Sequence, residues 1–269
     1  MVFNSLVHKF KGKFLQILKA LFRLLGVGIT SYSNLQRLQI SSKDGTDLEF
    51  LKTIGAHHAE VLLPLFIKSK SQLRQDLFVL SEVGYKNMGY FVEFGATNGI
   101  ELSNTYLLEK EFLWKGILVE PAKIWQSQLK NNRPNAFIET LCVWKNSQSL
   151  LQFNEVSIPE LSTINEFSSS DLHVKSRQAG KKYEVETISL IDLLKKYNAP
   201  RYIDYLSIDT EGSEYEILRD FDFHEYSFGV ITVEHNFSSS RGKIYNLLID
   251  NGYKRKFDNV SNFDDWYTK

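Results

Sequence analysis

At Tyr90 the chain changes rhythm, and nothing else in its 269 residues narrows the choice of fold so far. Short apolar runs begin there to alternate with amphipathic stretches of helical period. Runs at Tyr90 to Phe94, Gly116 to Glu120, Ala136 to Trp144, Tyr205 to Asp209 and Phe228 to Glu234 read as buried strands. Stretches at Ser103 to Phe112, Ala122 to Asn131, Leu190 to Tyr197, Glu214 to Phe221 and Arg241 to Asn251 read as the helices between them. Such alternation marks βαβ units and a mostly parallel sheet, so the expected class is α/β with helices on both faces. Residues 30 to 80 read as polar turns followed by helices around Ile54 to Ile67 and Ser71 to Val83. The expected division is therefore an amphipathic and helical lead-in over 1–83 and a sheet domain over 84–269. The Ser-rich stretch within 155–182 breaks the rhythm, as a long excursion over a sheet would, and such loops often serve as lids.

Charge separates the two ends of the chain. Lys and Arg total 32 and so do Asp and Glu, so the global field that gathers nucleic acid is missing and nucleic acid is not an expected partner. Yet Lys9, Lys11, Lys13, Lys19, Arg23, Arg37 and Lys43 all precede the first acid, Asp44. In Lys13 to Leu25 the apolar residues fall on one side of a helix, with Lys13, Gln16, Lys19 and Arg23 opposite. Lys19 and Arg23 interrupt it well short of the roughly 18 apolar residues of a spanning helix, and no small-residue cleavage site clearly follows. The preferred expectation is a helix packed on protein. The alternative is peripheral contact of residues 9–25 with an anionic membrane. A lone Cys142 makes neither an internal disulfide nor a cysteine-rich zinc site, in keeping with a cytoplasmic protein. Oligomeric state has no signature here.

In open α/β sheets ligands sit beyond the carboxyl ends of the strands, and those ends are unusually polar in this chain. The first runs Phe91-Val92-Glu93-Phe94-Gly95-Ala96-Thr97-Asn98-Gly99, and the second ends Val119-Glu120-Pro121. About 20 residues separate the glycine turn from Glu120, the spacing of a turn and an acid that holds ribose hydroxyls. The turn is G-x-x-x-G, which departs from the dinucleotide fingerprint. Glu93 beside it would repel a pyrophosphate but suits a cationic, phosphate-free nucleoside cofactor, S-adenosylmethionine. The fourth strand ends Asp209-Thr210-Glu211-Gly212-Ser213-Glu214, and the fifth ends Glu234-His235-Asn236. Ser213 and Glu216 fit a capping box, and Glu214 suits a helix dipole. Asp209 and Glu211 precede that cap. Carboxylates ending buried strands are costly unless they bind something, which makes these two the better candidates.

Three segments, Phe91 to Glu120, Val185 to Leu218 and Val230 to Trp266, resemble the FkbM family of methyltransferases. The D-x-E-G-x-E of Asp209 to Glu214 is the most specific piece. The resemblance implies a Rossmann-like class I methyltransferase fold and S-adenosylmethionine as cofactor. It implies that Glu93, Gly95, Ala96, Thr97, Asn98 and Gly99 surround the methionine part, and that Glu120, with Pro121 after it, holds the ribose. Ser103 and Asn104 would add hydrogen bonds, and Cys142 and Val143 would approach the adenine. Asp209 and Glu211 would face the transferring methyl. The expected reaction is O-methylation of a sugar, glycan or other small-molecule hydroxyl. Glu93 stands where Asp is common in the family, and the Thr97-Asn98 pair also departs from its usual pattern.

A sugar hydroxyl is a weak nucleophile whose proton must leave, so a base or a metal is expected. One expectation makes His235 or Asp209 the base, with Glu211 orienting it. The rival places a divalent cation on Asp209 with Glu234 or His235. Tyr183, Phe237, Trp266 and Tyr267 are available to stack on a sugar, although core packing is the commoner fate of scattered aromatics. Two further readings are a non-catalytic adaptor of the same fold at a membrane, and a nicotinamide oxidoreductase, which Glu93 and the missing middle glycine disfavour.

Overall fold

The computed structural model describes residues 45–169 and 173–269, and the basic helix expected over Lys13 to Leu25 lies outside them. The chain divides into two units, Met1–Leu48 and Glu49–Lys269, and both sheets with their connecting helices belong to the second. No helix among the described residues is long and apolar enough to cross a membrane.

Helices α1 (Ala56–Leu62) and α2 (Gln75–Glu82) precede the sheet, within the two stretches that read as helical. Seven strands then form one sheet: β1 (Tyr90–Phe94), β2 (Lys115–Val119), β3 (Phe137–Glu139), β8 (Tyr202–Ile208), β9 (Ser227–Glu234), β10 (Lys254–Lys256) and β11 (Asp264–Thr268). Their order is β10-β11-β9-β8-β1-β2-β3. From β3 across to β9 the strands run parallel, and β11 is antiparallel to both its neighbours. The connecting helices are α3 (Tyr106–Phe112), α4 (Gln126–Asn132), α5 (Leu190–Lys196), α6 (Glu214–Leu218) and α7 (Arg241–Asp250).

The central strands are buried on both faces, which is why they read as continuous apolar runs rather than alternating ones. From β1, Val92 and Phe94 join one core with Ile188, Leu206 and Ile231, while Phe91 joins another with Leu77, Trp114 and Trp266. The local signals that start helices are equally concrete at α5. The Ser189 hydroxyl accepts the Asp192 N–H at 3.2 Å, Asp192 lies in the first turn, and Lys195 and Lys196 lie in the last, complementing the helix dipole.

A second sheet stands beside the first, in the order β4-β7-β5-β6. It comprises β4 (Cys142–Trp144), β5 (Leu150–Glu155), β6 (Thr163–Ile164) and β7 (Lys181–Ser189). The run Ala136 to Trp144, expected as one strand, is thus two strands in different sheets. Glu139 makes the break: its Oε1 accepts the N–H groups of Thr140 at 2.9 Å and Leu141 at 3.1 Å, and Lys196 reaches its Oε2 at 2.6 Å. The excursion within 155–182 contains β6 and two 3₁₀ turns, Pro159–Leu161 and Asn165–Phe167. Phe153, Ile164 and Val185 pack there with Cys142 and Trp144 in a third core.

Candidate active site

Strand register places the polar strand ends side by side. Phe94 pairs with Val119 and with Ile208, and Ile208 pairs with Val233. The next residues, Gly95, Glu120, Asp209 and Glu234, therefore stand together at the carboxyl edge of the sheet. β1 lies between β2 and β8, where the strand order reverses, and this is the crevice in which doubly wound sheets bind ligands.

The first turn is shaped by two glycines. Gly95 sits at φ +74°, and a Cβ there would lie 2.0 Å from the Asp209 carbonyl oxygen, so no other residue lets the β1 and β8 turns approach this closely. Gly99, at φ +80°, packs against Leu129 and Arg133, where a Cβ would come within 2.6 Å and 2.7 Å. Thr97 also takes a left-handed φ, +46°. Its N–H donates to Glu120 Oε2 at 2.8 Å, while Ala122 N–H donates to Oε1 at 2.7 Å. Glu120 thereby ties the first turn to the second. Burial, with Asp209 and Glu155 nearby, pushes its carboxyl up to about 7.

Gly95, Thr97, Glu120, Pro121, Cys142 and Val143 line a solvent-open cleft of about 520 Å³, together with Phe153, Ile164, Asp209 and Glu211 among others. Apolar walls with convergent polar groups are the usual lining of a small-molecule site. Burial pushes the Cys142 thiol up to about 12, so it packs as an apolar group.

Glu93 departs from expectation. Its carboxylate belongs to the scaffold of the turn and does not line the cleft. Ser103 Oγ (3.0 Å), the Asn104 N–H (2.7 Å) and Thr105 Oγ1 donate to it. Desolvation pushes its pKa up, and the charge of Arg133 opposes that rise. Arg133 is itself fully buried, bonded to Glu109 at 2.6 Å, to the Gly99 carbonyl at 3.0 Å and to Thr105 at 3.0 Å. Ser103 and Asn104 belong to the same scaffold, Asn104 reaching Ser207 at 3.0 Å. Asn98 caps the turn by accepting the Ile100 and Glu101 N–H groups at 2.9 Å. Ala96 is buried in the core.

The acids converge as the sequence suggested. One oxygen each from Asp209, Glu211 and Glu234 lie within 4.8 Å of one another, a set able to hold a cation. Burial raises both Asp209 and Glu234, and repulsion from Asp209 raises Glu234 further. Glu211, at φ +59°, accepts Arg177 Nη2 at 2.6 Å and Asn236 Nδ2 at 3.1 Å. A second cleft, of about 740 Å³, adjoins the first and shares Thr97, Glu160, Asp209 and Glu211 with it; Gln72, His173 and Asn236 line part of its remainder.

His235 lines neither cleft. Its Nδ1 accepts the Phe237 N–H at 3.0 Å, and its Nε2 faces Asp265 at 3.8 Å, so the ring is buried against β11 instead of pointing at the acids. Desolvation lowers its pKa. The capping role expected of Ser213 is absent, since its hydroxyl donates to Thr210 Oγ1 at 2.8 Å. Glu214 lies in the first turn of α6, as expected, and also organises the preceding turn: its Oε1 accepts the Thr210 N–H at 3.2 Å and the Gly212 N–H at 2.8 Å. Trp266 and Tyr267 are core residues, and Phe237 is exposed. Arg177 escapes sequence reading altogether, because its partner Glu211 lies across a stretch with no periodic signal.

Residues 93–263 match the model of the methyltransferase FkbM domain, more than half of the chain. The chain belongs to the FkbM methyltransferase family. This FkbM protein has the class I methyltransferase sheet, with its antiparallel strand inserted next to the edge. No curated protein shows significant sequence similarity to it. Among solved structures it is similar to the METTL16 methyltransferase domain, with 12% identity and a TM-score of 0.40, covering 73% of this chain and 65% of that one. It is also similar to Aeropyrum pernix fibrillarin in complex with natively bound S-adenosyl-L-methionine, with 12% identity and a TM-score of 0.36, covering 68% and 67%. A TehB-like SAM-dependent methyltransferase from Corynebacterium glutamicum gives 9% identity and a TM-score of 0.36, covering 79% and 96%.

Proposed function

We propose that this FkbM methyltransferase moves a methyl group from S-adenosylmethionine to a hydroxyl of a sugar, glycan or related small molecule. The observation that carries the reading is the meeting of two clefts at Asp209, Glu211 and Thr97, the first walled in part by Cys142, Val143, Phe153 and Ile164 and the second bringing Gln72, His173, Glu234 and Asn236 to the same acids. The residues present fit the cofactor. The Gly95 turn has no room for a side chain, Glu120 keeps lone pairs free for ribose hydroxyls, and Cys142, Val143, Phe153 and Ile164 offer an apolar slot for adenine. S-adenosylmethionine supplies an electrophilic methyl on sulfonium. The chain's own part is to hold the acceptor hydroxyl in line in the second cleft and to take its proton. Asp209, which borders both clefts, is the base in this reading. Burial brings its carboxyl up to about 6, near the operating range of a general base.

A second reading has a specific observation behind it. The oxygens of Asp209, Glu211 and Glu234 are close enough to hold a divalent cation that would lower the pKa of the acceptor hydroxyl. Methyl transfer from labelled S-adenosylmethionine to a panel of sugar acceptors, with and without EDTA, separates the two. Under the base reading activity survives EDTA and falls at least about 100-fold in Asp209→Asn. Loss with EDTA and recovery with Mg²⁺ or Mn²⁺ favours the cation, and transfer to none of the hydroxyl acceptors overturns the acceptor assignment.

A further inference from the structure

One guanidinium holds together a whole wall of the cofactor cleft. Arg177 is fully buried although it belongs to the irregular excursion between β5 and β7. Its Nε donates to the Leu161 carbonyl at 2.8 Å and its Nη1 to the Phe167 carbonyl at 3.4 Å, the last residues of the two 3₁₀ turns. Its Nη2 meets Glu211 Oε2 at 2.6 Å. These contacts come from three different nitrogens held in one plane, a spread that a guanidinium can satisfy and a compact ammonium cannot. Thr163 adds a parallel tie, donating to the Glu211 carbonyl at 2.9 Å, and Asn154 holds the backbone of Arg177 itself, Nδ2 to O at 2.9 Å.

We propose that Arg177 is a positioning residue for methyl transfer: it clamps the Pro159–Phe167 wall onto the D-x-E-G-x-E turn and fixes the Glu211 carboxylate beside Asp209. A buried ion pair is a poor source of net stability, because desolvation consumes most of the attraction. What it does supply here is geometry. The wall it ties down contributes Pro159, Ser162 and Ile164 to the cofactor cleft, and the carboxylate it holds borders both clefts. Without the clamp the binding-competent arrangement would be only partly populated, and affinity would fall by that fraction. The consequence for binding rests on the cofactor assignment proposed above, whereas the clamp itself does not.

Two measurements on the full chain separate these. Hydrogen exchange in wild type, Arg177→Gln, Arg177→Lys and Glu211→Gln reads the clamp, and calorimetric titration with S-adenosylhomocysteine reads the cleft. In Arg177→Gln and Glu211→Gln, amides of the Pro159–Phe167 wall exchange at least about tenfold faster while β1 and β8 keep wild-type protection. Arg177→Lys falls between, and the two Gln effects do not add in the double variant. S-adenosylhomocysteine binds at least about tenfold more weakly to Arg177→Gln. Exchange within about twofold of wild type, or fully additive effects, overturns the clamp. Faster exchange with unchanged affinity overturns the positioning role. A wild-type chain that does not bind S-adenosylhomocysteine sinks the cofactor assignment and leaves exchange to decide the clamp. Should Arg177→Gln fail to fold, Glu211→Gln, which removes the charge and keeps the shape, decides alone.

Discussion

Gly95 and Asp209 constrain each other through backbone, and this gives the sharpest residue-level prediction. Gly95→Ala must move a carbonyl oxygen now 2.0 Å from the new Cβ and hold alanine at φ +74°. A loss of stability of about 1–3 kcal/mol or more is expected, read as a lower urea midpoint with unchanged m-value. A midpoint equal to wild type would mean that the turn relaxes freely. At Asp209 the expectation concerns pH. A base must be ionised to accept a proton, so turnover falls as pH drops through about 6, towards about tenfold per unit. A flat profile between about pH 5 and 7 removes Asp209 from that role. The residue scale is also where a site is hardest to tell from its scaffold by sequence. Glu93, beside a glycine turn, looks like a cofactor ligand, yet donors from Ser103, Asn104 and Thr105 occupy it. His235, beside two acids, looks like a base, yet its ring faces Asp265. In both cases side-chain direction decides, and no one-dimensional pattern carries it.

Elements whose signals are local are legible in the sequence. Four of the five expected strands, and the helices between them, are present, because double-sided burial writes itself as apolar runs. The α5 cap is a case that mutation can check: Ser189→Ala is expected to cost about 1 kcal/mol in chemical denaturation and to leave cofactor affinity within about twofold, since the cap lies outside the cleft. A tenfold loss of affinity would contradict that separation. Elements held by distant partners are not legible. β7 has alternate buried positions at Val185 and Thr187, a period-two signal, but Lys181, Lys182, Glu184 and Glu186 give it the look of a surface loop. β10 and β11 are short and charged, and they become strands by pairing beyond the edge of β9. The split after Glu139 comes from a side chain bonding its own following backbone, which an apolar run conceals.

For the whole molecule, buried carboxyls set the dependence of stability on pH. Burial raises Asp76 and Asp209 to about 6 and Glu120, Glu214 and Asp264 to about 7. From their ordinary range up to those values the folded state keeps protons that the unfolded chain has already released. Stability contributed by these groups is therefore full at acid pH and is lost as pH rises towards about 7. His235, lowered by burial, works against this only below its ordinary range near 6.5. Thermal melts should show Tm falling between about pH 5.5 and 7.5, and a steady rise over that interval would show that these acids are ionised in the folded protein. Bound cofactor changes the picture by mass action, because a ligand that binds only the folded state raises Tm with its concentration.

The proposed S-adenosylmethionine site between Glu120 and Asp209 is tested most directly by calorimetric titration of the full chain with S-adenosylmethionine and S-adenosylhomocysteine, beside Glu120→Ala and with NAD as control ligand. Micromolar binding of both sulfur ligands is expected, with a loss of at least about tenfold in Glu120→Ala and no binding of NAD. Absence of binding at millimolar ligand, or binding indifferent to Glu120, would contradict the assignment.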